Sequence, residues 1–136
     1  MLYNKDWERK SNPVSDLLYK AAALLEKHGH VRFSREDENG SMCFLGAMEA
    51  AEHGDVMAGR PDSELVIQAA EAVIQTLGIK PREDRDARYP AVAWNNVPER
   101  TGQEVIDAMR LAAHVHSHKM IYPSLQDGKH LEKQNA

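Results

Sequence analysis

Apolar residues recur every three to four positions through most of this chain, a period typical of helices that bury one face. The first such segment starts after Ser11 or Asn12, either of which can cap a helix, and Pro13 suits the first turn. At helical spacing, the residues of its apolar face lie within one arc: Val14, Leu17, Leu18, Ala21, Leu24, Leu25 and His28. The spacing predicts an amphipathic helix over about residues 13–28, ended by Gly29 in the left-handed conformation.

Three further segments repeat the helical period. The second is predicted to begin near Ser41 or Met42 and to end at residue 53. Its small residues would let another helix approach closely: Gly46, Ala47, Ala50 and Ala51. The third spans about residues 63–77 with Asp62 as its N-cap. A capping box of Thr101 and Glu104 begins the last helix, which runs to about residue 119.

Two stretches between these helices break the period. Residues 30–44 alternate weakly around an Asn-Gly turn, which predicts a small β-hairpin or a structured loop. Residues 80–88 alternate in charge, which favours a solvated loop, and residues 91–94 suit a short helix or turn. The fold class that we predict is therefore all-α: a compact four-helix bundle, or four helices with a short additional one.

Polar ends flank the predicted bundle. We expect residues 1–12 to form a polar N-terminal arm, residues 13–119 a single helical domain and residues 120–136 a polar C-terminal tail. The first ten residues hold five charges and no apolar core of a secretory signal. No apolar run is long enough for a membrane span. With a lone cysteine, this pattern favours a cytoplasmic protein.

Composition narrows the function classes. The 136 residues carry 17 Lys and Arg against 21 Asp and Glu, a net charge of −4, whereas a basic surplus is typical of nucleic-acid binders. The acidity is concentrated in residues 41–78, which hold six acidic residues and one basic residue. One cysteine excludes internal disulfides and multi-cysteine zinc sites. No Walker loop, G-x-G-x-x-G or G-x-S-x-G motif occurs. We therefore predict no cofactor. The charge balance disfavours a nucleic-acid partner, for which Arg82, Arg85 and Arg88 form the candidate patch.

Three short segments carry a family resemblance. They are a helix end at Leu24–His30, a Cys-x-x-Gly-Ala helix start at Cys43–Ala47, and a Trp-Asn-Asn stretch followed by Arg-Thr at Trp94–Thr101. In this order they resemble an uncharacterised family of small proteins from actinobacteria and their phages, over roughly residues 15–115. That family usually has Trp where this chain has His30 and Asp where it has Asn96. The resemblance implies a small cytoplasmic accessory protein, of host or phage origin, with no established activity.

The strongest candidate for a ligand-binding site is the cluster Trp94, Asn95, Asn96, Arg100 and Thr101. An indole offers a stacking surface, two amides offer paired donors and acceptors, and an arginine beside a helix N-terminus suits an anion. This combination would fit a small anionic or nucleotide-like ligand. The alternative is structural: the indole fills the core, the amides bond to the turn, and the threonine caps the last helix.

Three other side chains are weaker candidates. Cys43 lies at a helix start, where the dipole favours a thiolate nucleophile, and the alternative is a small buried hydrophobic residue. His114 and His118 are four residues apart, the spacing of a helical zinc pair, yet no glutamate follows in the metalloprotease pattern. The alternative there is an exposed, histidine-rich helix end. We predict no catalytic residue and no metal ligand beyond these.

Two functions fit these features. The first is a small non-enzymatic accessory protein, as a monomer or a homo-oligomer, that binds a host or phage protein. Helix faces with small residues and the acidic middle of the chain favour it. The alternative is a small-ligand binding protein or enzyme, with its site between Cys43 and residues 94–101.

Overall fold

The chain folds into helices joined by ordered loops. The computed structural model describes residues 12–121, so all but the last residue of the predicted arm at 1–12 and most of the predicted tail lie outside the described residues. The helices are α1 (Pro13–His28), α2 (Phe44–His53), α3 (Glu64–Leu77), α4 (Arg88–Asn95) and α5 (Gly102–Ile121). Within residues 12–121 no strand forms, and backbone pairing outside the helices includes two isolated bridges, from Met42 to His30 and to Glu36. The all-α prediction is confirmed, and residues 29–43 are a structured loop.

Helices α1 and α5 pack antiparallel. Near the start of α1, Ser15 Oγ donates to the Ala113 carbonyl at 2.7 Å, and near its end Glu26 pairs with Arg110 at 3.0 Å. Asn12 is the N-cap of α1, as predicted. Gly29 ends this helix with φ 99° and ψ 164°, so the left-handed cap predicted there is wrong. The extended ψ sends the chain directly into the loop.

The core is formed by the apolar faces of the helices. Its largest fully buried side chains include Leu18, Leu25, Phe44, Met48, Ile74 and Met109. Helix α4 contributes Ala91 and, among polar residues, the buried amide of Asn95. Each large apolar side chain contributes about 1.5–3 kcal/mol on burial. Packing, more than intrinsic propensity, therefore holds these helices in place.

Helix α2 begins at Phe44, later than predicted. Cys43 is its N-cap, with Sγ accepting the Gly46 N–H at 3.5 Å. A Cβ at Gly46 would overlap the carbonyl oxygen of Arg35 and lie 2.7 Å from the carbonyl carbon. That carbonyl also accepts the Cys43 N–H at 3.2 Å. The small residue therefore admits a loop backbone, whereas we predicted close approach of a helix at this position.

The start of α3 departs from the prediction in a similar way. Its N-cap is Ser63, whose Oγ accepts the Val66 N–H at 3.2 Å, so the assignment of Asp62 as N-cap is wrong. Asp62 instead binds arginines from other segments. The capping box at α5 forms as predicted: the Glu104 N–H donates to Thr101 Oγ1 at 3.1 Å, and the Thr101 N–H donates to Glu104 Oε1 at 2.9 Å.

A helix that crosses a bilayer needs about 20 predominantly apolar residues. Between residues 12 and 121 no helix combines the length and the apolar character that crossing a membrane requires.

Candidate functional site

Asn95, at the end of α4, is a buried junction between three segments. Its Oδ1 accepts the Phe44 N–H at 3.1 Å and lies 2.8 Å from His30 Nε2. Its Nδ2 donates to the Val31 carbonyl at 3.4 Å and to Asn96 Oδ1 at 3.0 Å. One amide thus joins α4, the start of α2 and the loop. This also brings the Cys43 helix start beside residues 94–101, the neighbourhood that the sequence singled out.

Asn96 fixes the loop at Phe33. Its Oδ1 accepts the Phe33 N–H at 2.9 Å. Phe33 has a φ of 67°, and no other non-glycine residue in the described part of the chain has a positive φ. Positive φ is rare for a bulky side chain. Phe33 is nevertheless 79% exposed. The structure therefore holds a large aromatic ring in solvent on a strained backbone.

The polar and ring contacts of Trp94, Arg100 and Thr101 are mainly with one another and with Glu104. The Arg100 guanidinium lies 4.2 Å from the Trp94 ring centroid, and its Nε donates to the Trp94 carbonyl at 3.2 Å. Its Nη1 pairs with Glu104 at 3.2 Å, and Thr101 belongs to the α5 capping box. Arg32 adds bonds to the carbonyls of residues 97 and 100. These cations stabilise the carbonyls that follow α4, and the ligand-binding role of the cluster stays a prediction.

Cys43 is 5% exposed. Burial raises the pKa of its thiol and outweighs the backbone N–H bonds that act in the opposite direction. A raised pKa leaves less thiolate at neutral pH, and thiolate is the reactive form. This environment disfavours Cys43 as a nucleophile. That role stays a prediction.

His114 and His118 lie on one face of α5, with ring centroids 5.4 Å apart. This is the arrangement that their spacing predicts. Residues 12–121 contain no group of three or more His, Cys, Asp or Glu side chains placed to hold a metal ion. A metal on this pair would need further ligands from elsewhere, and the metal role stays a prediction.

A charge network, which the sequence pattern did not reveal, surrounds Asp62. This carboxylate, with its side chain 1% exposed, accepts from Arg35 Nη1 at 2.9 Å and Nη2 at 3.2 Å. It also accepts from Arg88 Nη1 at 2.9 Å. Arg88 in turn pairs with Asp86 at 2.7 Å. The prediction of a solvated loop at residues 80–88 is therefore wrong at Arg88, because its charge is held by a buried partner.

The network extends to a second buried carboxylate, Glu49 on α2. Its Oε1 lies 3.5 Å from Arg35 Nη1, and its Oε2 accepts from Arg60 Nε at 3.0 Å. Burial alone would raise the pKa of Asp62, but the hydrogen bonds and charges of Arg35 and Arg88 outweigh it and lower that pKa. Alternating charges thus tie the loop to α2 and to the starts of α3 and α4.

We expect Asp62→Asn to lower the free energy of unfolding by about 2 kcal/mol at neutral pH, because two partly buried guanidinium groups lose the buried carboxylate that they share. The folded-state pKa of Asp62 lies below 3.8. The stabilisation is therefore complete well above the ordinary pKa of an aspartate and is lost as the pH falls from there through the lowered pKa of the folded state. Urea unfolding at neutral and acidic pH measures both effects: the gap between wild type and variant should narrow as the pH falls below 3.8.

Asp84→Asn is the matched control for that variant. Asp84 pairs with Arg82 at 3.0 Å, and both side chains are more than half exposed. Removal of this charge should change the free energy of unfolding by less than about 0.5 kcal/mol. A difference between wild type and Asp62→Asn that does not vary with pH would contradict a charge-based role for Asp62.

An open groove of about 510 Å³ lies beside the network. Its lining includes Arg35, Asp62, Arg85, Arg88, Tyr89 and Asn96. Two guanidinium groups lie close to the Tyr89 ring: Arg82 at 5.0 Å and Arg85 at 4.9 Å from the centroid. Such cation–π contacts restrict where the arginines can point. The groove therefore joins the charge network to Asn96, which holds Phe33.

The model of a family of unknown function, DUF6197, matches residues 9–115. No curated protein and no solved structure matches the chain. The matched range includes the Asn95 junction, the charge network and the groove.

Proposed function

Since this chain belongs to the DUF6197 family, whose function is unknown, we propose a function from its own surface. The protein is a non-enzymatic binding protein that holds a partner protein on its Phe33 face. This face consists of loop residues 31–35 and the Asn96 end of α4. The observation that carries the proposal is Phe33 itself, an exposed ring on a backbone with positive φ.

Phe33 contributes little to the stability of the fold, which favours a role in binding. A buried phenylalanine contributes about 1.5–3 kcal/mol, and a residue that is 79% exposed gains only a small part of this. Its positive φ opposes folding by about 1–2 kcal/mol in an L residue. The fold thus holds this ring where it contributes little to stability. Aromatic side chains often dominate protein interfaces, because they bury a large area with few rotatable bonds.

Other exposed apolar side chains provide a comparison. Tyr19, Met57 and Leu111 are also exposed, but none of them has positive φ. Single exposed apolar residues are ordinary on protein surfaces. Phe33 differs because Asn96 and the buried Asn95 hold its backbone in place, which is the preorganisation that reduces the entropy lost on binding.

The proposal also includes the origin of the partner and the cellular compartment. We propose a host or phage protein as the partner and the cytoplasm as the compartment. The motif resemblance to actinobacterial and phage proteins supports the first. The free thiol of Cys43, which suits a reducing compartment, supports the second. A small anionic ligand at Trp94–Thr101 remains the alternative function.

Phe33→Asn tests the proposal. We expect it to leave the free energy of unfolding unchanged or to raise it by up to about 1 kcal/mol, because asparagine tolerates positive φ better than phenylalanine. We expect the same variant to weaken partner binding by about tenfold or more. Urea unfolding measures the first effect. Affinity capture from lysate of the source cells, with quantitative mass spectrometry, measures the second.

Leu111→Ala is the matched control, since Leu111 is exposed on α5. A partner retained by wild type and by Leu111→Ala, but depleted with Phe33→Asn, supports the Phe33 face. Equal retention by all three proteins means that this face is not the docking surface. A strongly destabilised Phe33→Asn would show that the ring has a structural role, which also contradicts the proposal.

A further inference from the structure

The carboxylates in the groove already have their hydrogen-bond partners. Asp62 Oδ1 accepts from Arg35, and its Oδ2 accepts from both Arg35 and Arg88. Asp86 accepts through Oδ1 and Oδ2 from the Arg88 side chain, and through Oδ1 from the Arg88 backbone N–H. These acceptors are therefore largely satisfied within the chain.

Two other groups in the lining, the Asn96 amide and the Arg85 guanidinium, have hydrogen-bond donors that no acceptor within residues 12–121 occupies. Asn96 uses its Oδ1 for Phe33 and Asn95, and its Nδ2 makes no hydrogen bond within residues 12–121. The Arg85 side chain is 56% exposed, and its ion pair with Asp84 is long at 3.9 Å, beyond hydrogen-bond range. The lining holds three arginines and two aspartates, and two further carboxylates near these arginines, Glu49 and Asp84, lie outside it.

We propose that this groove binds a carboxylate side chain of the partner protein, in an acidic segment that also contacts Phe33. The inference rests on the proposed function. The exposed Arg85 guanidinium and the Asn96 amide N–H are donors that suit an anionic acceptor. Asn96 connects the two contacts, because it lines the groove and holds the Phe33 backbone. A groove of about 510 Å³ exceeds what one small inorganic anion fills, so a peptide segment fits it better.

The test uses the full chain and three probes. One is a blocked pentapeptide with phenylalanine between two pairs of glutamates, the second is its glutamine counterpart, and the third is inorganic phosphate. NMR titration follows the Arg85 Nε–H and Asn96 Nδ2–H resonances. We expect saturable shifts with the acidic peptide, and binding about fivefold or more weaker with the glutamine peptide. Arg85→Gln should weaken acidic-peptide binding by about fivefold to tenfold.

Arg110→Gln is the control, because Arg110 is a partly exposed arginine on α5 that pairs with Glu26. Equal weakening by Arg110→Gln and Arg85→Gln would overturn the proposal, since the attraction would then be nonspecific. Equal affinity for both peptides, or binding of phosphate alone, would also overturn it.

Partner capture separates the two proposals. If capture depends on Phe33 and not on Arg85, the proposed function stands and the carboxylate site falls. If the acidic peptide binds through Arg85 while capture is insensitive to Phe33→Asn, the groove stands as an anion site and the Phe33 face fails as the docking surface.

Discussion

Gly46→Ala is expected to lower the free energy of unfolding by about 3 kcal/mol. The added Cβ would overlap the Arg35 carbonyl oxygen and lie 2.7 Å from its carbon. Both atoms belong to the backbone and cannot rotate away. The loop must move off α2, which breaks the Cys43 N–H bond to the Arg35 carbonyl and disturbs the Arg35–Asp62 pair. Chemical denaturation measures the loss.

Gly54→Ala is the control at the other end of α2. Gly54 has a φ of 88°, and no atom lies within 4 Å of an added Cβ. This variant therefore carries backbone strain of about 1–2 kcal/mol and no steric overlap. Gly46→Ala should be clearly more destabilised. Equal losses would show that contact with the Arg35 carbonyl is not why glycine stands at position 46.

Asn95→Ala is expected to be comparably severe, with a loss of about 3 kcal/mol. It would leave the Phe44 N–H and the Val31 carbonyl without their side-chain partner, in a site where Asn95 is fully buried. Each unsatisfied buried group opposes folding by about 1–3 kcal/mol. The Phe44 N–H is a first-turn donor that its own helix cannot satisfy. Urea unfolding gives the total loss, and faster amide hydrogen exchange at Phe44 locates it.

Two further variants sharpen this result. Asn95→Asp keeps an acceptor for the Phe44 N–H but loses the donor to the Val31 carbonyl, so it should recover only part of the stability. Asn96→Ala removes a half-buried amide that holds Phe33 and should lower the free energy of unfolding by about 1 kcal/mol. If Asn95→Ala is no worse than Asn96→Ala, the junction does not depend on the buried amide.

The proposed docking surface depends on the same junction. Asn95 bonds to Asn96, and Asn96 bonds to the Phe33 N–H. Variants at Gly46 and Asn95 should therefore affect partner binding indirectly, through the loop. Phe33→Asn and Arg85→Gln are better tests of function, because they change the surface and leave these internal bonds in place.

The candidate site was predictable in part. Residues 94–101 and the start of α2 are adjacent, as the ligand-binding hypothesis required, because the Asn95 amide reaches the Phe44 N–H. The roles of the side chains were not predictable to the same degree. Arg100 lies against the Trp94 ring, whereas the guanidinium with the weakest internal partner in the groove belongs to Arg85. That residue stands in a charge-alternating stretch that predicts only a solvated loop.

The sequence by itself determined the features whose physics is local. The Asn12 cap, the Thr101–Glu104 capping box and the helical period of α1 involve groups within a few residues of one another. In a helix, the distance between such groups follows from their separation along the chain. Their hydrogen bonds and apolar arcs can therefore be predicted from spacing alone.

Only the tertiary structure decided the features that join distant segments. Asp62 has the local chemistry of an N-cap, but Arg35 and Arg88 lie 27 and 26 residues away in sequence and bind it more strongly than a helix N–H would. Gly46 belongs to a stripe of small residues, yet the neighbour that requires it is a loop carbonyl. Hydrogen-bond and steric energies depend on distance in space, and sequence separation does not report that distance.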